Sequence, residues 1–319
     1  MKDAVLRGPV TTLPLFKEPH HRKMYGKIIM TKRTLPVLAT ATAALFALNS
    51  FAMAAGAVHT AVSDDIIAQQ RAALAKNTDG AGFGPQAPRD IDSVAGTNQR
   101  AFAPAPAYTQ MNLCDIHFHE NAEHRGGEFT HYAGNGDGHG YDTGYQYTGQ
   151  LTPAELKPLD HPVGKTEHGD LQPGDTIEAH FVYSTAQAKP GPTLGTCLSD
   201  AISNPQLRVE AQVFVLVNDP NALDFNTLAD VETVNGLYQA PNIPTDTGTP
   251  VVYAGSTTGP GYDETGSPFE VTWSVHPKVA RVDINSVDKW LGHNVFEEDH
   301  AHGVRNLVTN PALLSQIDQ

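Results

Sequence analysis

The chain reads as an all-β-dominated protein with a few short peripheral helices. Three observations lead there. Beyond residue 84, short apolar runs are separated by Gly, Pro, Asn and Asp, the punctuation of strands and turns. Several of those runs alternate apolar and polar residues, so that one face is apolar, with the period of two that a strand requires. Helix candidates, by contrast, are confined to three short stretches.

Taken in order, residues 1–29 carry neither signal nor domain character and read as an upstream extension of a gene starting at Met24 or Met30. Lys32 and Arg33 then precede an apolar run from Leu35 to Phe51, closed by Ala52-Met53-Ala54. A basic start, an apolar middle and small residues at the end are the parts of a secretory signal, so residues 30–54 are expected to direct export to a periplasmic or secreted location without stable membrane insertion. The 265 residues that remain of 319 after removing 54 suit one large domain, 55–319, better than two.

Within that domain Asp64–Lys76 is the best helix candidate, with Ser63 as N-cap and Ile66, Ile67, Gln70 and Leu74 on or near one face. Strands are expected at Leu113–His119, Thr176–Ser184, Leu207–Val217, Pro250–Tyr253 and Phe269–Val275. Residues 125–172, rich in Gly, Tyr and His, are expected to form long loops or a surface hairpin. Asp283–His293 and Asn310–Ile317 are candidate short helices. No internal repeat is present.

Composition narrows the partners. Residues 1–54 hold 8 of the 21 basic and 2 of the 35 acidic residues, leaving 13 against 33 and a formal charge of −20. Such a surface repels polyphosphate and anionic lipid, which argues against nucleic acid and anionic membrane. Homo-oligomerisation is left open. The two cysteines, Cys114 and Cys197, form an even pair that in an oxidising compartment is most simply one disulfide. It would join the two segments that carry the most chemistry.

Those segments are Asp115-Ile116-His117-Phe118-His119 and Glu178-Ala179-His180-Phe181-Val182. Alternation puts Asp115, His117 and His119 on one face, with Cys114, Ile116 and Phe118 toward the core; Glu178, His180 and Val182 form a matching face. Three neutral imidazoles leave a tetrahedral Zn²⁺ one open position, as catalysis on a metal-activated water requires. Each histidine also needs its second ring nitrogen held by an acceptor, which Asp115 and Glu178 can provide. Glu123, four residues past His119, would be either a fourth ligand or such an acceptor.

Further along come Tyr253-Ala254-Gly255-Ser256-Thr257-Thr258-Gly259-Pro260 and Val271-Thr272-Trp273. With His117-Phe118-His119, Glu123-His124, Glu178-Ala179-His180 and the early Gln86-Ala87-Pro88-Arg89-Asp90-Ile91, these segments resemble, in order, the α-class carbonic anhydrases. The run CDIHFHENAEHRGGEF resembles most the δ-class or δ-like branch. The resemblance spans roughly residues 80–310 in ordered fragments. It implies a mostly antiparallel central sheet and a zinc enzyme interconverting CO₂ and bicarbonate.

On that resemblance His117, His119 and His180 are the zinc ligands. Thr258 is the gatekeeper hydroxyl, with Thr257 the alternative by one residue, and Glu123 accepts the gatekeeper's proton in a hydrogen bond. Val182, Val271 and Trp273, with Thr257 in place of an apolar residue, form the substrate pocket. Asp115 departs from the neutral amide usual in the α-class. No residue is assignable as the proton shuttle: His124, His131, His139 and His168 are candidates by composition alone. His300 and His302 form another HxH in a polar, acidic segment without strand character, and read as surface residues.

Two other classes fit part of the pattern. A cupin-type metalloenzyme would use Glu123 as fourth ligand and accept harder metals, but leaves the YAGSTTGP and VTW segments unexplained. A non-enzymatic periplasmic zinc-binding protein would suit 15 histidines and an acidic surface, though carriers expose flexible His-rich runs rather than apolar strands.

Overall fold

The computed structural model describes residues 60–257 and 263–317, all within the unit Ala54–Gln319. The expected upstream extension, the signal segment and Thr258 lie outside the described residues.

Helix α1, Asp64–Thr78, opens the domain. It buries Ile67, Leu74 and Thr78, whereas Ile66 is 38% exposed. Ser63 precedes it without a side-chain cap bond. Next come strand β1, Asn112–Glu120, and two hairpins, β2 (His131–Asn135) with β3 (Thr143–Gln146), and β4 (Val163–Thr166) with β5 (Gly169–Leu171). The hairpins account for the stretch 125–172. Strands β6, Thr176–Ser184, and β7, Leu207–Val217, lead to the short helix α2, Phe225–Leu228, and hairpin β8 (Glu232–Val234) with β9 (Leu237–Gln239). Strands β10, Val251–Ser256, and β11, Glu270–Asp283, precede helix α3, Ile284–Gly292. The expected helix at Asn310–Ile317 is only a three-residue 3₁₀ turn, Pro311–Leu313.

One five-stranded sheet, in the order β1-β6-β7-β11-β10, organises the molecule. Every pairing is antiparallel except β7 with β11, so the sheet is mixed and mostly antiparallel. Both faces are covered, which is why β6 and β7 are almost continuously buried. On one face Ile177, Ala179, Phe181 and Tyr183 of β6 join Phe214 and Leu216 of β7, with Trp290 of α3 and Phe225 of α2 packed over them. Removing one such phenylalanine would cost roughly 3–5 kcal/mol, because the lost apolar contact leaves a cavity. The other face carries Val182, Val209, Ala211, Val213, Val271 and Trp273.

The expected alternation breaks at one residue. Between Leu113 and Asp115 the β1–β6 register shifts, and Cys114 packs with Val182 on the second face instead of with Ile116 and Phe118. A bulge inserts one residue into a strand and so reverses its parity. Strand β11 is irregular too, its register shifting between Val275 and Val279 around Pro277, which has no N–H for the ladder.

Candidate metal centre

Register brings the histidines together before any side chain is considered. His117 lies opposite His180, and His119 opposite Glu178, on the antiparallel β1–β6 pair. Cross-strand neighbours on one face stand only about 5 Å apart, so the three rings converge with centroids 4.7 to 5.2 Å apart.

Each ring has one nitrogen held by the protein. His117 Nδ1 is 2.7 Å from Asp115 Oδ2, His119 Nδ1 is 2.9 Å from the Gly303 carbonyl, and His180 Nε2 is 3.0 Å from Glu178 Oε1. That leaves Nε2 of His117, Nε2 of His119 and Nδ1 of His180 for an ion. The three residues form a group whose ligand atoms all lie within 4.8 Å of one another, and His117 Nε2 stands 3.3 Å from His180 Nδ1. Two nitrogens about 2.0–2.1 Å from a tetrahedral ion would be about 3.3–3.4 Å apart. The donor set fits zinc.

The surroundings set the charge. Burial lowers the basicity of His119, and the neighbouring rings of His180, His117 and His302 lower it further, well below the usual histidine range. Burial likewise lowers His180, although Glu178 opposes it. At His117 burial acts in the same direction, but the Asp115 carboxylate outweighs it and the pKa rises. Burial would raise Glu178, yet His124 and His180 hold its carboxyl well below the usual range. Neutral imidazoles backed by a carboxylate are the form in which histidine binds metal.

Behind Glu178 a buried relay continues. Glu178 Oε1 is 2.6 Å from His124 Nδ1, and His124 Nε2 is 2.7 Å from the Tyr253 hydroxyl. His124 is fully buried, so it is not a solvent-facing histidine as its composition-based candidacy required. Tyr253 sits under Arg89, whose guanidinium carbon is 5.3 Å from the ring centroid. The Gln86–Ile91 segment thus packs against β10, and Gln86 Oε1 accepts from both Ser256 Oγ and the Ser267 N–H at 3.2 Å.

Glu123 is buried at the site's edge, where its Oε1 accepts from the Arg305 N–H at 2.9 Å. It stands 3.8 Å from His119 Nδ1, the nitrogen already turned to Gly303, and does not belong to the group of converging ligand atoms. This placement gives no support to Glu123 as a fourth ligand. Thr257 is buried, with its hydroxyl 3.0 Å from Ser267 Oγ; Thr258 lies outside the described residues.

A cavity of about 440 Å³ opens over the three rings. Val182, Leu194, Val209 and Trp273 make an apolar side, with Thr257 beside them. Val271 is buried in the same cluster but does not line the cavity; Val209, from the parallel partner strand, does. The indole N–H of Trp273 donates to the Ser256 carbonyl at 3.1 Å, fixing its plane. His139, Tyr141, Glu298 and His302 also line the cavity. Of the other histidines, His168 stacks on Tyr141 at 3.7 Å, and His131 is exposed on β2.

Sequence reasoning missed several contributors, Val209 and the Gly303 carbonyl among them. His302 pairs with His119 in an isolated bridge at the edge of β1 and brings its ring to 5.5 Å from His117. The only signal was its HxH spacing with His300. Thr193 and Leu194 come from a loop tied down by the Cys114–Cys197 disulfide, and Thr193 adopts φ +63°, ψ 163°, a region that costs a β-branched residue of order 1–3 kcal/mol. No sequence pattern announced that loop's return over the site.

The family model described as delta carbonic anhydrase matches residues 108–286. No curated protein matches the chain. Among solved structures, the α-carbonic anhydrase of Photobacterium profundum is similar at 16% identity, covering 77% of this chain and 95% of that one, with a TM-score of 0.26. The α-carbonic anhydrase of Thermovibrio ammonificans, in complex with sulfanilamide, is similar at 16% identity over 70% and 84%, with a TM-score of 0.25. A hyperthermostable carbonic anhydrase from a hydrothermal vent chimney gives 14% over 75% and 88%, with a TM-score of 0.27.

Proposed function

The chain belongs to the delta carbonic anhydrase family, and from that premise we propose that it catalyses the reversible hydration of CO₂ to bicarbonate and a proton, with zinc held by His117, His119 and His180. The observation that carries this reading is the convergence of three ring nitrogens left free by Asp115, Gly303 and Glu178. Zinc in such a set acts as a Lewis acid that makes a hydroxide nucleophile available near neutral pH.

The protein's own residues do the rest. Asp115 and Glu178 hold two of the rings in the tautomer that presents the free nitrogen. Glu123, its carboxylate fixed by the Arg305 N–H, is the acceptor for the gatekeeper hydroxyl, Thr258 in our assignment or Thr257 in the alternative register. Orienting that hydroxyl aims the nucleophile's lone pair at the substrate. Val182, Val209 and Trp273 supply an apolar face for CO₂, a neutral molecule whose binding needs exclusion of water more than hydrogen bonds. Residues 30–54 direct export, and the disulfide is in keeping with an oxidising compartment.

Stopped-flow CO₂ hydration tests the reading, on protein as prepared, after chelation and after zinc restoration, with an aromatic sulfonamide as probe. Zinc-dependent hydration blocked by the sulfonamide is expected. A folded, zinc-loaded protein without activity would overturn it and leave a non-enzymatic zinc-binding role.

A further inference from the structure

One of the three groups that orient the histidines is not a side chain. His119 Nδ1 is held by the Gly303 carbonyl at 2.9 Å, and a carbonyl points only where its backbone is fixed. His302, just before it, is anchored at the edge of β1: its N–H donates to the Phe118 carbonyl at 2.9 Å, and its carbonyl accepts from the Glu120 N–H at 2.8 Å. Beyond Gly303 the chain leaves the sheet, although the Arg305 N–H still donates to Glu123 Oε1 at 2.9 Å. That side of Gly303 is fixed from the turn joining β2 to β3. The Val304 N–H donates to the Gly140 carbonyl at 2.8 Å, and a Cβ on Gly303 would stand 3.0 Å from the Gly140 carbonyl carbon. Turn and carbonyl are in direct contact, so a shift in one reaches the other.

Gln70 of α1 joins the two segments. Its Nε2 donates to the Gly138 carbonyl at 2.8 Å, and its Oε1 accepts from Asn306 Nδ2 at 2.7 Å. One planar amide thus bridges the turn that holds Val304 and the residue two places beyond it. Resting on the three-histidine zinc reading above, we propose that Gln70 is a positioning residue for His119: it clamps the β2–β3 turn to residues 303–306 and so fixes the carbonyl that sets which His119 nitrogen faces the ion. Helix α1 is thereby part of the centre's support, although none of its residues lines the cavity.

Other contacts of α1 fasten the helix elsewhere. Asn77 Nδ2 donates to the Glu264 carbonyl at 2.5 Å, and Arg71 Nε to the Leu307 carbonyl at 3.1 Å; neither bond reaches the β2–β3 turn. Gln70 is half-buried, and its side-chain amide satisfies an acceptor on one segment and a donor on the other at once. A methionine there would keep the helix and most of the volume but make neither bond. Asn306 has a second hold, its N–H donating to Asp263 Oδ1 at 2.7 Å. Loss of the Gln70 clamp therefore loosens the segment without releasing it, and the effect on the centre is graded.

Gln70→Met tests this, with Asn77→Ala as a variant that cuts an anchor at the other end of the same helix. In the full chain stripped of metal, deuterium exchange at the Val304 amide should be about threefold or more faster in Gln70→Met and unchanged in Asn77→Ala. Competition with a chelator should show zinc held about 3- to 10-fold more weakly in Gln70→Met, less than the roughly 10–100-fold expected when an orienting group itself is removed. A wild-type value for either quantity in Gln70→Met would overturn the proposal. So would an equal loss in Asn77→Ala, which would make docking of the helix as a whole the cause. A wild type that holds no zinc would instead count against the three-histidine reading, while the exchange comparison would still decide whether Gln70 fixes the segment that carries Gly303.

Discussion

Glu178 and His124 are joined twice: the carboxylate takes the His124 ring Nδ1 at 2.6 Å through Oε1 and the His124 backbone N–H at 3.1 Å through Oε2. The carboxylate that orients His180 is therefore itself held on both oxygens. It cannot rotate without breaking a buried bond, and the ring it holds is fixed with it.

Glu178→Gln should accordingly weaken zinc affinity about 10–100-fold, the usual loss when an outer hydrogen-bond partner is removed. An amide can still accept from one ring but cannot serve as an anionic acceptor for two. Competition with a chelator of known affinity measures it; unchanged affinity would show that His180 is oriented by packing alone.

Glu123→Gln separates two roles. As an acceptor for the gatekeeper hydroxyl, Glu123 should be replaceable without loss of metal, while kcat for hydration falls by about 10²-fold or more. Loss of zinc in the variant would instead revive Glu123 as a ligand.

Asp115→Asn removes a negative charge 2.7 Å from His117 Nδ1. Negative charge near the centre opposes deprotonation there, so the midpoint of the pH–activity profile should move down, by a few tenths to about one unit. A midpoint that rises or stays put would argue against Asp115 as an electrostatic component.

Asp263 gives a stability signature away from the ring nitrogens. Burial pushes its carboxyl up to about 6, against the Asn306 N–H and the Arg305 charge, which lower it. A raised carboxyl favours the folded state below its unfolded value of about 4, and that contribution is lost as pH climbs through 6. Urea midpoints should show a drop across this window worth up to roughly 3 kcal/mol, and Asp263→Asn should flatten it. Parallel pH profiles for the two proteins would exclude Asp263 as the source.

Strands β6 and β7 were legible to the residue because each buries both faces and is bounded by turn residues. The HxH and ExH pairs were legible because a period of two fixes which side chains share a face. What escaped depends on chain that returns from far away. Cys114 lies on the unexpected face because of a bulge, and a bulge leaves no trace in hydropathy. His302 reaches the cavity through backbone bonds to β1 across more than 180 residues, which no local pattern encodes. The pairing of β7 with β11 is parallel, and Val209 consequently lines the cavity where Val271 was expected.

The cysteines close a covalent ring with a sequence separation of 83 residues, and His117, His119, Glu123, His124, Glu178 and His180 all fall inside it. An unfolded but oxidised chain therefore still carries the whole centre on one loop, relieved of the roughly 4–5 kcal/mol of closure entropy that a linear chain would have to surrender. On the zinc reading proposed above, that state would act as a tethered chelator: metal recapture would be a search within the ring, and the ion would nucleate the β1–β6 pairing as it binds.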